Sequence, residues 1–265
     1  MSAFLVAACG GGSSGGDTDA LNGAAPPAPS ATGRTGTPPD LSNAGTIVVT
    51  ATFAGEVPEG PIIDMRSDPS CGRLQSSERR RARPVTVNDD GTLRSVLVYV
   101  REGLEGMTFP AAVPADPVFG FDLEGIFAAE DCVFRPHVLA MRTGQAMTVR
   151  NSDETHHRAT AKPANGPALR ADQPMAGMEM QHSFANPEVG IPVRCEMHSW
   201  MSAFIHVFDH PYFTVLGEDN RRFELDPLPP GDYVLEAWHD TLGTQELRVT
   251  VTPSSVTEVN FAFGE

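Results

Sequence analysis

Three residues within one short segment carry side chains that bind metals through sulfur or nitrogen. Cys195, His198 and Met201 follow one another at intervals of three residues, and upstream His157 closes a polar run that begins at Asn151. One thiolate, two imidazoles and a thioether form a donor set that suits copper in both of its oxidation states. The combination predicts one copper site built from His157, Cys195, His198 and Met201, at which a single electron can be gained and lost.

Two simpler explanations of the same residues stay open. A buried free cysteine is a common small apolar residue of protein cores, so these side chains could only be packing together. Cysteine and histidine also bind zinc. A cysteine, a histidine and a methionine in one loop, with a further histidine after a separate strand, favour copper over both.

A second set of candidate metal ligands lies elsewhere in the chain. Met175, Met178, Met180 and His182 place three thioethers and an imidazole within eight residues, a composition that suits Cu(I). Glycine and proline flank this segment, so a simple exposed loop is the favoured interpretation. His137, close to Cys132, is another candidate, although a buried histidine bonded to the backbone is favoured there.

The segments that must position these residues read as β-strands. Runs of five to eight apolar or β-branched residues alternate with turns, and no helical periodicity is visible, which predicts an antiparallel β-sandwich. His157 follows the end of one such strand, and the segment from Cys195 to Met201 lies in a loop between two others. The predicted strands include 47–53, 93–100, 145–150, 188–194, 203–208, 213–216, 233–238, 244–252 and 257–263.

The amino-terminal part of the chain is typical of an exported protein. Residues 1–9 are apolar and end in Cys9, like the remnant of a bacterial lipoprotein signal, which predicts a lipid anchor on Cys9. The apolar stretch is short and has no basic residue, so we expect the true start to lie upstream. The alternative is a cysteine without a role. Residues 10–43 are rich in Gly, Ser, Ala and Pro and predict a disordered tether.

Two folded parts are expected after the tether. Residues 44–211 should form the main sandwich, and residues 212–265 a smaller β unit. About 55 residues are few for an independent core. We therefore expect the smaller unit to dock on the main sandwich or to complete its sheet with the strand at 46–53.

Cysteine counting bears on the candidate site. With Cys9 lipidated, three cysteines remain, and exported proteins usually pair their thiols. A disulfide between Cys71 and Cys132 is favoured because it leaves Cys195 free as a ligand. The rival pairing, Cys132 with Cys195, would abolish the copper site.

Charge narrows the range of partners. The net charge is −15, which argues against nucleic acid. An acidic surface can steer a cationic redox partner, although solubility alone also explains many of these charges. No hydrolase motif and no phosphate-binding glycine loop is present in the sequence, so we do not expect an enzyme.

Together these motifs resemble the cupredoxin family, the plastocyanin-like blue-copper proteins. The run from Asn151 to His157 resembles the stretch that supplies their first imidazole, and the segment from Cys195 to Met201 resembles their closing ligand loop, with the spacing of the amicyanins. More narrowly, the chain resembles exported bacterial proteins in which a plastocyanin-like domain is fused to a carboxypeptidase-regulatory-like β-sandwich. The residues that carry this narrower resemblance lie within 44–265, at 68–71, 132–138, 151–153, 195–213 and 228–239.

The resemblance implies a fold, a cofactor and a location. The fold is a cupredoxin-like antiparallel Greek-key β-sandwich with a smaller C-terminal prealbumin-like β-sandwich unit. The cofactor is one type 1 copper, and the expected location is the periplasm or the outer membrane. The family usually has Asn directly after its first histidine ligand, where it ties the two ligand loops together, but Arg158 stands there. The site could be looser for that reason, and His156 could compete with His157.

Three functions follow as hypotheses. The first is one-electron transfer to an unidentified redox partner, for which the charge of this chain suggests a cationic surface. The second is copper storage or delivery without electron transfer, with a contribution from the segment 175–182. The third is a structural surface lipoprotein that binds no metal.

Overall fold

The computed structural model describes residues 36–74, 81–82, 84–113, 126–217 and 223–264. Sixteen strands and one six-residue helix make up the regular structure of this described part, which confirms the all-β prediction. No helix in these ranges is long and apolar enough to cross a membrane. The anchor predicted on Cys9 lies outside the described residues, as does most of the predicted tether.

The strands and the helix have the following bounds. They are β1 (Thr46–Phe53), α1 (Pro69–Leu74), β2 (Val96–Glu102), β3 (Ile126–Glu130), β4 (Val133–Arg135), β5 (Val138–Arg142), β6 (Met147–Asn151), β7 (His157–Ala161), β8 (Leu169–Gln173), β9 (Glu179–His182), β10 (Glu188–Cys195), β11 (Ser202–Phe208), β12 (Phe213–Leu216), β13 (Phe223–Glu224), β14 (Gly231–His239), β15 (Gly243–Val251) and β16 (Val256–Phe263).

Strands β3 to β11 form what we call the inner sandwich, residues 126–208. One sheet has the order β5-β11-β10-β7-β8 and the other the order β4-β3-β6-β9. Alternate residues of these strands point into a shared core that includes Phe127, Leu139, Val149 and Ile205. Cys195 and Met201 belong to the same core cluster, so the candidate site is built into the end of this sandwich.

The remaining strands form what we call the outer sandwich, β1, β2 and β12 to β16. Its sheets have the orders β13-β1-β16 and β12-β2-β14-β15. Strand β1 lies parallel to β16 over its full length, from Thr46 opposite Val256 to Phe53 opposite Phe263. A second core, which includes Ile47, fills the space between these sheets. The strand at 46–53 therefore completes a sheet of the C-terminal strands, one of the two expected arrangements.

The two cores divide the chain differently from the predicted domain ranges. Residues 44–211 were expected to form one domain, but β1 and β2 pack with the strands after residue 211. The inner sandwich is thus inserted between the first two strands and the last five strands of the outer one. The physical reason is burial, since the strands after residue 211 need β1 and β2 to enclose a core.

Aromatic side chains join the two sandwiches. Phe208 of the inner sandwich stacks on Phe213 of the outer sandwich with ring centroids 4.9 Å apart. His206 packs edge-on against Trp238 with centroids 4.5 Å apart. Apolar residues of both units form one small cluster around these rings, so the junction is packed.

The strands and the helix differ from the sequence predictions in further ways. Three of the four sheets are mixed, because β1 with β16, β5 with β11, and β3 with β6 run parallel, whereas an antiparallel sandwich was expected. The sheet β12-β2-β14-β15 is antiparallel throughout. Helix α1 lies in a stretch for which the sequence patterns predicted no helix. Strand β8 lies in a stretch for which no strand was predicted. It forms because Leu169, Ala171 and Gln173 alternate inward beside β7.

Candidate metal centre

Two neighbouring strands bring the first two predicted ligands together. His157 begins β7 and Cys195 ends β10, and these strands pair antiparallel with Cys195 opposite Ala159. Both residues occupy inward positions of the alternating burial pattern, so both side chains point into the core. His198 and Met201 lie in the following loop, before β11 begins at Ser202. All four predicted ligands are buried.

The three strong donor atoms form a compact triangle. Sγ of Cys195 is 3.8 Å from Nδ1 of His157 and 3.8 Å from Nδ1 of His198. The two Nδ1 atoms are 3.1 Å apart. The circle through these atoms has a radius of about 2.1 Å, close to the lengths of metal bonds to imidazole and thiolate. An ion at its centre would contact all three donors without movement of the protein.

The thiol of Cys195 is held in a setting that favours the thiolate. Burial alone raises its pKa, but hydrogen bonds from His157 and His198 and from the backbone N–H groups of Arg158 and Met197 lower the pKa to about 5. Thiolate is the form that binds metals. The donor set is therefore ready for a soft ion at neutral pH, and its chemistry fits the copper implied by the sequence.

The outer nitrogen of each imidazole meets a carboxylate. Nε2 of His157 is 2.9 Å from Oδ2 of Asp153, and Nε2 of His198 is 3.3 Å from Oδ2 of Asp68. Burial lowers the pKa of His157, but the bonds to Asp153 and Cys195 outweigh it and raise the pKa to about 9. These carboxylates leave the Nδ1 atoms to face the triangle.

Backbone hydrogen bonds fix the loop that carries His198 and Met201. The N–H of Met201 donates to the carbonyl of His198 at 3.1 Å, and the N–H of Cys195 donates to the carbonyl of Met201 at 3.3 Å. Met201 is 1% exposed and packs in the same core cluster as Cys195. The thioether is thus enclosed on the inner side of the ligand loop.

Arg158 ties the two ligand segments where the sequence suggested a loose contact. Its carbonyl accepts the N–H of Glu196 at 3.0 Å. Its guanidinium pairs with Glu196 at 3.2 Å and with Asp172 at 3.0 Å. Arg158 therefore links the two ligand segments through these contacts, at the position where Asn links them in the family that the sequence resembles. His156 does not reach the triangle, because its Nε2 bonds to Asp172 at 2.6 Å.

The two histidines of the second set of candidate ligands lie outside the close groups of donors. In the part of the chain that the structure describes, three groups of His, Cys, Asp and Glu donors cluster closely, and none contains His137 or His182. Met175 is exposed, and Met180 packs against the inner core. His137 bonds to the carbonyl of Ser202 at 3.2 Å and to Asp240 at 3.0 Å.

The cysteines adopt the pairing that the sequence favoured. A disulfide joins Cys71 to Cys132, and Cys195 remains a free, buried thiol. The sequence analysis missed Asp68 and Asp153 as part of the site. Asp153 had a signal, since it lies four residues before His157. Asp68 belongs to the stretch 68–71 that carries the resemblance, but its place at the site was not evident, since it is 130 residues from His198 along the chain.

No protein-family model matches the chain, and no curated protein sequence matches it. Among solved structures, a copper-containing nitrite reductase from Thermus scotoductus SA-01 is 22% identical over 38% of this chain and 25% of that chain, with a TM-score of 0.28. The oxidised state of an amicyanin variant is 14% identical over 36% of this chain and 96% of that chain, with a TM-score of 0.29. A purple cupredoxin from Nitrosopumilus maritimus is 23% identical over 28% of this chain and 81% of that chain, with a TM-score of 0.24. At these TM-scores the similarities do not establish a family, and the chain spans only a quarter of the reductase.

Proposed function

We propose that this protein is a cupredoxin-like copper protein that carries one electron at a time through a single type 1 site. The observation that supports the proposal is the buried triangle of His157 Nδ1, His198 Nδ1 and Cys195 Sγ, with Met201 enclosed in the same loop. A trigonal His₂Cys set with a weak axial methionine is the ligand pattern of electron-transfer copper sites. When bound, copper supplies the redox chemistry by alternating between Cu(II) and Cu(I).

The protein contributes position, charge and exclusion of water. Cys195 supplies the thiolate, and the two histidines supply Nδ1 atoms that already face one point. Because the pKa of His157 is raised to about 9, its ring would release a proton when an ion binds. Met201 supplies the weaker thioether contact. Since the strands and the loop hydrogen bonds fix these donors, the protein needs little rearrangement when the charge at the site changes. The burial of all four side chains keeps solvent from adding ligands.

Location and partner are part of the proposal. The Cys71–Cys132 disulfide supports an oxidising compartment, so we place the protein in the periplasm or on the outer membrane, anchored through Cys9. The net charge of −15 supports a cationic redox partner, because the acidic surface of this protein would attract such a partner toward the site.

The outer sandwich is proposed to be the carboxypeptidase-regulatory-like unit suggested by the sequence. Two facing sheets of three and four strands around one core are compatible with a prealbumin-like β-sandwich. Along the chain, its strands come before and after the inserted inner sandwich. In this proposal the outer sandwich is the support on which the copper domain is carried.

The test is metal analysis, visible spectroscopy and electrochemistry on the full chain expressed in a copper-replete periplasm. We expect one copper per chain, intense visible absorption from thiolate-to-copper charge transfer, and a reversible one-electron couple. Cys195→Ser should abolish the colour. His156→Gln is the matched control, because it changes a neighbouring imidazole outside the triangle and should leave the colour unchanged.

Two outcomes would contradict the proposal. A colourless wild-type protein after Cu(II) loading would favour the structural lipoprotein. Stoichiometric Cu(I) binding without a reversible couple would favour storage or delivery. Deleting 175–182 would not be a clean test of the storage alternative, because this segment contains β9, which pairs with β6. Single changes of Met175 and Met178 to Leu suit that purpose better.

A further inference from the structure

Both imidazoles of the candidate centre contact a carboxylate through the nitrogen that faces away from the donor triangle. Each histidine directs Nδ1 at the donor triangle and Nε2 at a carboxylate, Asp153 for His157 and Asp68 for His198. Because a carboxylate accepts, Nε2 of each ring carries a proton, and Nδ1 is the atom that would bind an ion once it has no proton. Metal-binding histidines generally depend on such partners for their orientation and donor strength.

Asp68 reaches the centre from outside the inner sandwich. Its Oδ1 accepts the N–H groups of Ser70 and Cys71, at 2.8 and 2.9 Å, and so caps α1. Its Oδ2 accepts the hydroxyl of Thr155 at 2.6 Å and faces Nε2 of His198. Three hydrogen bonds therefore hold the Asp68 carboxylate where it meets the imidazole of His198.

The disulfide lies directly behind the two carboxylates. The N–H of Cys71 donates to Asp68, and the N–H of Cys132 donates to Oδ2 of Asp153 at 3.0 Å. The S–S bond joins these two half-cystines and thereby links the two carboxylate supports. The same bond crosses from the segment before β2 to the β3–β4 turn, so it fixes α1 onto the inner sandwich.

Trp200 adds a third link between the disulfide and the ligand loop. Its indole N–H donates to the carbonyl of Cys132 at 3.0 Å, and its ring lies on His198 with centroids 4.8 Å apart. Trp200 also packs against the small apolar cluster of Met65, Cys71 and Cys132. Asp68 and Trp200, which contact the outer side of His198, are therefore each hydrogen-bonded to one of the two cysteines of the disulfide.

We propose that Asp68 and Asp153 are positioning residues of the metal centre, and that the Cys71–Cys132 disulfide holds them in place. This inference rests on the proposed copper function. The carboxylates act through the histidines: they fix the ring orientation and strengthen Nδ1 as a donor. A stronger donor favours Cu(II), the more highly charged ion, over Cu(I). The support thus lowers the reduction potential of the site.

The capping role of Asp68 can be separated from the positioning role. Asn is as good as Asp at a helix N-cap, so Asp68→Asn keeps the cap of α1 and removes the charge that faces His198. We expect Cu(II) affinity to fall about 10- to 100-fold, with a smaller loss for Cu(I). Each tenfold difference between the two losses raises the potential of a one-electron couple by 59 mV.

Asp90→Asn provides a matched control. Asp90 also accepts a backbone N–H and a hydroxyl from one neighbour, Thr92, at 3.0 and 2.6 Å, but in the outer sandwich. The Asp90→Asn substitution removes the same charge from the protein as Asp68→Asn but contacts neither histidine. Asp153→Asn should shift the potential in the same direction as Asp68→Asn, whereas Asp90→Asn should not.

A variant pair tests the disulfide. Replacing Cys71 and Cys132 together by Ser should raise the potential, and adding Asp68→Asn should then have less effect than it has alone, because residues that act through one support are not additive. Full additivity would overturn the role of the disulfide. If the double variant does not fold, the comparison of Asp68→Asn with Asp90→Asn still decides the role of Asp68.

A measurement on the metal-free protein separates this inference from the proposed function. The Nε2 proton of His198 should exchange slowly in an NMR spectrum, and Asp68→Asn should make it exchange faster. If wild-type protein has a reversible couple and Asp68→Asn behaves like Asp90→Asn, the positioning role is refuted and the carrier function stands. If wild-type protein has no couple, the function fails, and unchanged exchange of the His198 proton would refute the positioning role independently.

Discussion

His206 gives the clearest prediction about pH and stability. It lies in β11 at the junction of the two sandwiches and is 0% exposed. Nδ1 accepts the N–H of Gly190 at 3.0 Å, and Nε2 has no hydrogen-bond partner among the described residues. Burial lowers the pKa of His206 to about 3. The folded protein therefore keeps this ring neutral well below neutral pH.

The sign of the effect follows from proton binding. The pKa of His206 is lower in the folded chain than in the unfolded chain, so between about pH 6.5 and 3 the unfolded chain binds more protons. Unfolding then becomes easier as the pH falls through that window. One proton changes the free energy of unfolding by about 1.4 kcal/mol per pH unit. From pH 6.5 to 4.5, His206 alone should remove about 2 to 3 kcal/mol.

The assay is urea unfolding of the metal-free protein at pH 6.5 and 4.5. His206→Gln can still accept the N–H of Gly190, and His206→Phe keeps a ring beside Trp238. Neither side chain titrates, so both variants should lose about 2 to 3 kcal/mol less than wild type between the two pH values. Because the pH-dependent difference is measured, the stability of each variant at pH 6.5 does not matter. Equal losses in all three proteins would refute the reasoning.

Three further predictions concern the site and its supports. The Cys71–Cys132 disulfide closes a loop with a sequence separation of 61, so its reduction should cost about 4 kcal/mol of unfolding free energy; a urea midpoint unchanged on reduction would contradict this. In metal-free protein, the ultraviolet absorbance of the Cys195 thiolate should titrate near pH 5, and a transition near pH 9 would show that the imidazoles do not stabilise it. Arg158→Ala should lower the urea midpoint only slightly, and less at high salt. Copper binding should be retained, because the Arg158 N–H and carbonyl at the site are backbone groups; loss of copper binding would argue otherwise.

Local sequence patterns were sufficient for most strands. The predicted strand at 213–216 has the bounds of β12, and most other predicted strands overlap an observed one closely. Alternating apolar residues mark a face that must be buried, and this signal is local. The patterns failed at β8, where the inward residues are small or polar, and at α1, whose capping Asp68 lies in a stretch of proline and charge.

The ligand set was also visible locally, because three of its four members lie in one seven-residue segment. The choice between His156 and His157 was not. Strand alternation places His157 inward and His156 at the surface beside Asp172, and the strand boundary that decides this was not evident from the sequence. The role of Arg158 also could not be predicted from the local sequence, because its partners Asp172 and Glu196 lie in β8 and in the ligand loop.

The sequence by itself determined the all-β class, the thiolate, imidazole and thioether donors, and the favoured cysteine pairing. These depend on residue type, short spacing and side-chain alternation. Only the tertiary structure decided that β1 lies beside β16, that the inner sandwich is inserted into the outer one, and that Asp68 contacts the outer nitrogen of His198. Such contacts join segments more than a hundred residues apart. They are stabilised by burial and hydrogen bonding between those segments, and the local sequence pattern of one segment does not identify its partner.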